Sequence, residues 1–203
     1  AGGGAWVLGF RPEEQVERVV GYAKRRAAAW LAALVPDDAY GQRAAGAFRA
    51  AVGGAAIVVT YPVGDGTDPA EAIDRLLALT GDGLDALLLA DGGLRMQGVL
   101  EILRFRGLDP SRVRLLGTAR WLDDPDLARS PLLGDAWVAA VDPAAADAFA
   151  RRFADVYGRV PGPLAGLAYD ATALAAALLS SPNPIDQAAL TAESGFAGRL
   201  GIF

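Results

Sequence analysis

Short apolar runs alternate with one-sided amphipathic stretches along most of this chain. The runs Trp30–Val35, Ala56–Tyr61, Ala86–Ala90, Val113–Gly117 and Ala136–Val141 hold few polar residues, and turn-forming residues bound each of them. Hydrophobicity that is continuous rather than alternating suits a parallel strand covered on both faces. The first amphipathic stretch opens on Pro12, carries Glu13 and Glu14 in its first turn, and ends on Lys24, Arg25 and Arg26. Those charges complement a helix dipole at both ends, and Val16, Val19, Val20 and Ala23 form one apolar stripe.

Four more helices follow by the same reasoning. One comes after Tyr40-Gly41, with Ala44, Ala47, Phe48 and Ala51 on one face. One is capped by Asp68-Pro69 and presents Ile73, Leu76 and Leu77. One carries Met96, Val99, Leu100 and Leu103 and stops at Gly107. One starts at Asp142-Pro143, carries Phe149, Phe153 and Val156, and stops at Gly158. Caps, prolines at the start and glycines at the end mark these boundaries. The pattern predicts an α/β fold: a doubly wound five-stranded parallel sheet of order 2-1-3-4-5. In that order the first and third strands meet at the switch point, so ligand-facing loops are expected at Pro36–Gly41 and Asp91–Leu94.

Some segments stand outside this unit. Ala5–Phe10 reads as a strand with no partner. Val160-Pro161-Gly162-Pro163 reads as a hinge before a helix at Leu164–Ser180, and Ser181-Pro182-Asn183-Pro184 breaks the chain again. The helix is too short and, with Asp170, too polar for a membrane span. The glycine-rich tail Gly195–Phe203 ends on Ile202-Phe203 and reads as truncated; with no signal peptide and no initial Met, the chain reads as a mature protein or an excised piece.

Composition narrows the chemistry. The 203 residues carry a net charge of −5, and Lys24 is the single lysine. The arginines are dispersed, which argues against nucleic acid. There is no Cys and no His, so Ser-His and Cys-His nucleophilic pairs are impossible and a zinc site would need carboxylates alone. Neither GxGxxG nor GxxxxGK[ST] occurs, and no cofactor is expected.

The candidate site residues sit after strands. Asp38 reads as a helix cap, and Tyr40 either accompanies that cap or lines a cleft. Asp91 and Gly92 form either a plain turn or a place where a ligand meets bare N–H groups and a ligand cation meets Asp91. Thr118, Arg120 and Trp121 follow the fourth strand, where the indole either stacks on a ligand or fills a core. Asp123, Asp124 and Asp126 lack the spacing of a calcium loop and read as a solvated loop opening a short helix. Asp170, in an apolar helix, needs exposure or a partner and reads as structural rather than catalytic.

The segments Phe10-Arg11-Pro12-Glu13-Glu14-Gln15-Val16, Ala33 to Gln42, Ala168-Tyr169-Asp170-Ala171 and Gly195 to Phe203 together resemble type I periplasmic binding proteins of the leucine/isoleucine/valine-binding kind, most nearly the penicillin-binding-protein activator lipoproteins. The resemblance implies that residues 12–158 are a second lobe. Residues 1–11 would be a strand and hinge from an absent first lobe, and residues 159–203 a hinge, a returning helix and a tail. It implies a ligand site between lobes, with Tyr40 at a position where amino-acid binders place a tyrosine, and with carboxylate-gripping hydroxyls in the absent lobe. It further implies a periplasmic, lipid-anchored, non-catalytic protein. The leading expectation is an activator of a peptidoglycan synthase; the alternative is a solute receptor of an ABC transporter for amino acids or similar molecules. A carboxylate-using enzyme is the third class.

Overall fold

The computed structural model describes residues 8–64, 66–162, 164–180, 190 and 195–201. The chain divides into two compact units, Arg11–Ala140 and a second formed by Ala1–Phe10 with Val141–Phe203.

The first unit is built on β1 (Leu31–Pro36), β2 (Ile57–Tyr61), β3 (Ala86–Leu89), β4 (Arg114–Thr118) and β5 (Trp137–Ala139). All pairings are parallel and the order is β2-β1-β3-β4-β5, as the alternation predicts. Ala33 is in register with Val58 on one side and Leu88 on the other. Strands β1 and β3 are buried at every residue, whereas the edge strands β2 and β5 are only half-buried in part. Strands β1 and β4 are shifted by one residue from their apolar runs, and β2, β3 and β5 are shorter than theirs. Trp30 lies outside β1 and is 51% exposed, and the run Ala136–Val141 contributes only three residues to β5.

The helices are α1 (Pro12–Arg25), α2 (Ala39–Val52), α3 (Ala70–Thr80), α4 (Gly93–Phe105) and the short α5 (Pro125–Ala128). From β1 the chain steps outward to β2, then back past β1 to β3 and on to β4 and β5. Crossovers of one hand must therefore place α2 on one face and α3 and α4 on the other. The two cores follow this division. Leu31, Ala33, Val35, Ala86 and Leu88 pack with Val16, Val20, Ala44 and Phe48 of α1 and α2. Ala32, Leu34, Leu87 and Leu89 pack with Ile73, Leu76, Met96 and Leu103 of α3 and α4. The stripes expected for α1 and α4 are the buried residues of those helices.

Three local features shape the ends of α1 and β1. Asp38 caps α2 by accepting the Gly41 N–H at 2.8 Å. A Cβ at Gly41 would come 1.9 Å from the Pro36 carbonyl oxygen, so glycine lets α2 start directly against the end of β1. Helix α1 ends in a Schellman arrangement: the Ala27 N–H reaches the Lys24 carbonyl at 3.0 Å and the Ala28 N–H the Ala23 carbonyl at 3.1 Å. Ala27 takes the left-handed position, at φ 67°. Alanine stands where glycine is usual, so the basic residues Lys24, Arg25 and Arg26 are what mark this end in the sequence.

In the second unit α6 (Pro143–Tyr157) is capped by Asp142, which accepts the Ala144 N–H at 2.9 Å, and ends on left-handed Gly158. By compactness α6 groups with α7 (Ala165–Leu179). The partner that Asp170 needs is a turn: it is fully buried and accepts the Arg199 and Leu200 N–H groups at 2.7 and 3.0 Å. Among the described residues, no helix is long and apolar enough to cross a membrane. Of the expected strand Ala5–Phe10, residues 5–7 lie outside the described residues, and Leu8, Gly9 and Phe10 belong to no strand. The break at Ser181–Pro184 and the terminal pair Ile202-Phe203 lie wholly outside the described residues.

Candidate functional site

The polar residues of the first unit converge where the strands end at their carboxyl termini. Asp38 follows β1, Tyr61 closes β2, Asp91 follows β3, and Thr118 closes β4. Asp91, with 1% exposure, is the most demanding of them, since a buried carboxylate must be compensated. Four donors do this. Its Oδ1 accepts the Gly92 N–H and Arg95 Nη2, each at 2.8 Å, and its Oδ2 accepts Arg95 Nε at 2.5 Å and the Tyr61 hydroxyl. Arg95 stands one turn into α4, so the reach back to Asp91 is an i, i+4 pair. The same guanidinium touches Asp38 Oδ2 at 3.5 Å, which joins the loops after β1 and β3 through one side chain.

The titration behaviour follows from this packing. Burial pushes the Asp91 carboxyl up, but the hydrogen bonds from Arg95, Tyr61 and Gly92 outweigh it and hold the group below its ordinary range. Tyr61 is driven far above the usual phenol range by burial and by the adjacent Asp91 charge. The Asp91 hydrogen bond raises Arg95 as well. The cluster is therefore a carboxylate, a guanidinium and a neutral phenol, locked together and without a group poised for proton transfer near neutrality.

A second arrangement surrounds the end of β4. Tyr40, in the first turn of α2, donates its hydroxyl to Thr118 Oγ1 at 2.8 Å. Burial raises the Tyr40 phenol, which keeps it a donor. The Arg120 guanidinium lies over the Tyr40 ring, 4.5 Å from its centre. Gln15 Oε1 of α1 accepts the Ala119 N–H at 2.7 Å and so ties α1 to the turn that carries Arg120. Among the described residues Arg120 has no carboxylate partner.

Of the residues the sequence singles out, Tyr40 and Thr118 are hydrogen-bonded to each other, and Asp38 and Asp91 share Arg95. Two depart from the ligand-contact expectation. A Cβ at Gly92 would sit 2.8 Å from the Arg120 carbonyl oxygen, so glycine is there for a close approach of two backbone segments, and its N–H is already spent on Asp91. Trp121 is fully buried: its indole N–H donates to the Leu89 carbonyl at 3.1 Å and its ring covers Gly117. It fills the core under the site instead of facing it, because a 3-10 turn at Ala119–Trp121 swings the indole inward and Arg120 outward. Asp124 caps α5, as the loop reading expected. Arg95, Tyr61 and Gln15 were not singled out. The i, i+4 spacing of Asp91 and Arg95 was a usable signal for the first; the other two arrive from elements distant in sequence and carry none.

Among the described residues no group of three carboxylates could hold a metal. An aromatic groove of about 330 Å³ lies in the second unit, lined by Phe149, Phe153, Tyr157 and Tyr169 together with Arg152 and Arg199.

The architecture is shared with solved proteins. A Rhodospirillum rubrum protein assigned to branched-chain amino acid ABC transport matches with a TM-score of 0.71 and 23% identity, over 94% of this chain and 57% of that one. A Desulfitobacterium hafniense ABC transporter substrate-binding protein in complex with Leu matches at 0.58 and 21%, over 94% and 57%. A Rhodopseudomonas palustris ABC transporter solute binding protein in complex with 3,4-dihydroxybenzoic acid matches at 0.53 and 22%, over 94% and 55%. The chain thus spans little more than half the length of these structures. No curated protein sequence matches significantly. A family model described as periplasmic binding protein matches residues 1–194, and the chain belongs to that family.

Proposed function

We propose that this chain is the ligand-facing α/β portion of a non-catalytic solute receptor that serves an ABC transporter outside the cytoplasm. The observation that carries this reading is the convergence of Tyr40, Thr118 and Arg120 at the carboxyl ends of β1 and β4, beside the Asp38–Arg95–Asp91 cluster. Doubly wound sheets bind ligands at that edge. A half-buried phenol, fixed by the buried Thr118 hydroxyl, and a guanidinium without a carboxylate partner among the described residues are what a small polar solute needs there. The absence of His and Cys from the sequence, and the full pairing of Asp91, support binding without chemistry.

The solute would be an amino acid or a molecule of similar size. The transport roles of the solved relatives, one holding leucine and one holding 3,4-dihydroxybenzoic acid, favour the receptor over the lipid-anchored activator of a peptidoglycan synthase that the sequence put first. A thermal-shift screen of the complete protein separates the two. A ligand at a hundredfold excess over its Kd stabilises the folded state by about 2.7 kcal/mol, so a receptor shows a clear rise in Tm with its solute. No rise with amino acids, oxo acids or aromatic acids, together with retention of a peptidoglycan synthase on the immobilised protein, would establish the activator instead.

A further inference from the structure

At the carboxyl-end face of the sheet the side-chain acceptors around Asp91 and Thr118 are already occupied among the described residues. Both oxygens of Asp91 are spent on Gly92, Tyr61 and Arg95. Asp38 gives Oδ1 to the Gly41 N–H and Oδ2 to Arg95. Gln15 Oε1 takes the Ala119 N–H, and Thr118 Oγ1 takes the Tyr40 hydroxyl. Asp37 and Asp123 are exposed carboxylates, and an ion pair formed in water contributes little. Arg120, by contrast, is half-buried, steadied by the Tyr40 ring, and has no carboxylate partner among the described residues. A guanidinium held over an aromatic ring is suited to receive a carboxylate through two parallel N–H bonds. An ammonium at the same edge would find Asp91 already neutralised.

We propose that Arg120 takes the carboxylate of the ligand, and that Arg95, by occupying Asp91, denies a place to an ammonium group. The ligand class is then a small carboxylic acid without an amino group. This rests on the solute-receptor reading above. It assigns the carboxylate grip to this sheet edge, and it makes Arg95 a residue that sets specificity without touching the ligand.

Calorimetric titration of the complete protein tests it with leucine, with 4-methyl-2-oxopentanoate (the same skeleton bearing an oxo group in place of the ammonium), with 3,4-dihydroxybenzoate, and with the primary amides of the two acids. The expected result is that one of the two acids binds at least about tenfold more tightly than its amide. The oxo acid should also bind more tightly than leucine. Arg120→Met should bring the acid-to-amide ratio close to one. Leucine binding more tightly than the oxo acid, or an unchanged ratio in Arg120→Met, would overturn the inference while leaving the receptor reading intact. Binding of none of the five overturns the inference, and the thermal-shift screen then decides the receptor reading separately. Should Arg120→Met fail to fold, Arg120→Lys decides: it keeps the charge but loses the fork, and an undiminished ratio in that variant counts against the two-bond grip.

Discussion

Trp121 covers Gly117 so closely that a Cβ added at Gly117 would fall 2.5 Å from the indole. Gly117 lies inside β4, and its backbone is not in the left-handed region, so the requirement for glycine is one of space alone. Gly117→Ala should therefore cost stability by overpacking, about 1–3 kcal/mol, and Trp121→Ala should cost more, about 3–5 kcal/mol, by leaving a cavity. Urea denaturation followed by circular dichroism reads both. If Trp121→Ala keeps full stability and loses only ligand affinity, the indole faces the ligand after all.

That outcome bears on what the sequence could disclose. The sheet order was legible because five apolar runs separated by helices leave few topologies once crossovers share one hand. The cap at Asp38 was legible because the capping bond is local. The direction of Trp121 was not. Two adjacent residues, Arg120 and Trp121, part company in a single 3-10 turn, and neither hydrophobic period nor composition records which of them turns inward. Nor was the neutralisation of Asp91 legible in full. Its pairing with Arg95 is written in their spacing, but the Tyr61 hydroxyl reaches it from another strand, and that proximity exists only once β2 and β3 flank β1.

Ala27 offers a gain in stability. It holds φ 67° at the end of α1, a conformation that costs an L-residue about 1–2 kcal/mol and glycine far less. Set against the larger unfolded-state entropy of glycine, Ala27→Gly should stabilise the protein by about 0.5–1 kcal/mol. The denaturant midpoint should rise with an unchanged slope; a lower midpoint would show that Ala27 has contacts that outweigh its backbone strain.

Asp91 sets a pH dependence whose sign follows from its lowered pKa. A carboxyl that binds protons less tightly when folded than when unfolded stabilises the fold above its unfolded value, near 3.8. That contribution is lost as pH falls from there through the folded value. The midpoint of urea unfolding should therefore drop more steeply between about pH 5 and about pH 3 in the parent protein than in Asp91→Asn, which cannot titrate at this position. Other carboxyls with lowered pKa values, Glu13 and Asp74 among them, act in both proteins and cancel in the comparison. Parallel acid limbs would mean that Asp91 titrates alike in the folded and unfolded chains.

Tyr40 separates folding from binding most cleanly. Its ring is half-buried against the α1–α2 side of the core, and its hydroxyl meets Thr118, which is fully buried. Tyr40→Phe keeps the ring under Arg120 but leaves Thr118 Oγ1 without this donor, so it should cost about 1 kcal/mol of stability. Tyr40→Ala also removes the surface on which Arg120 rests. If the guanidinium is a ligand contact, its unrestrained side chain must be ordered again on binding, at about 0.5–1.5 kcal/mol, and affinity should fall by roughly three- to tenfold beyond any change seen with Tyr40→Phe. Equal affinities for the two variants would show that the ring does nothing for Arg120. Loss of the folded state in Tyr40→Ala would place Tyr40 in the core rather than at the site.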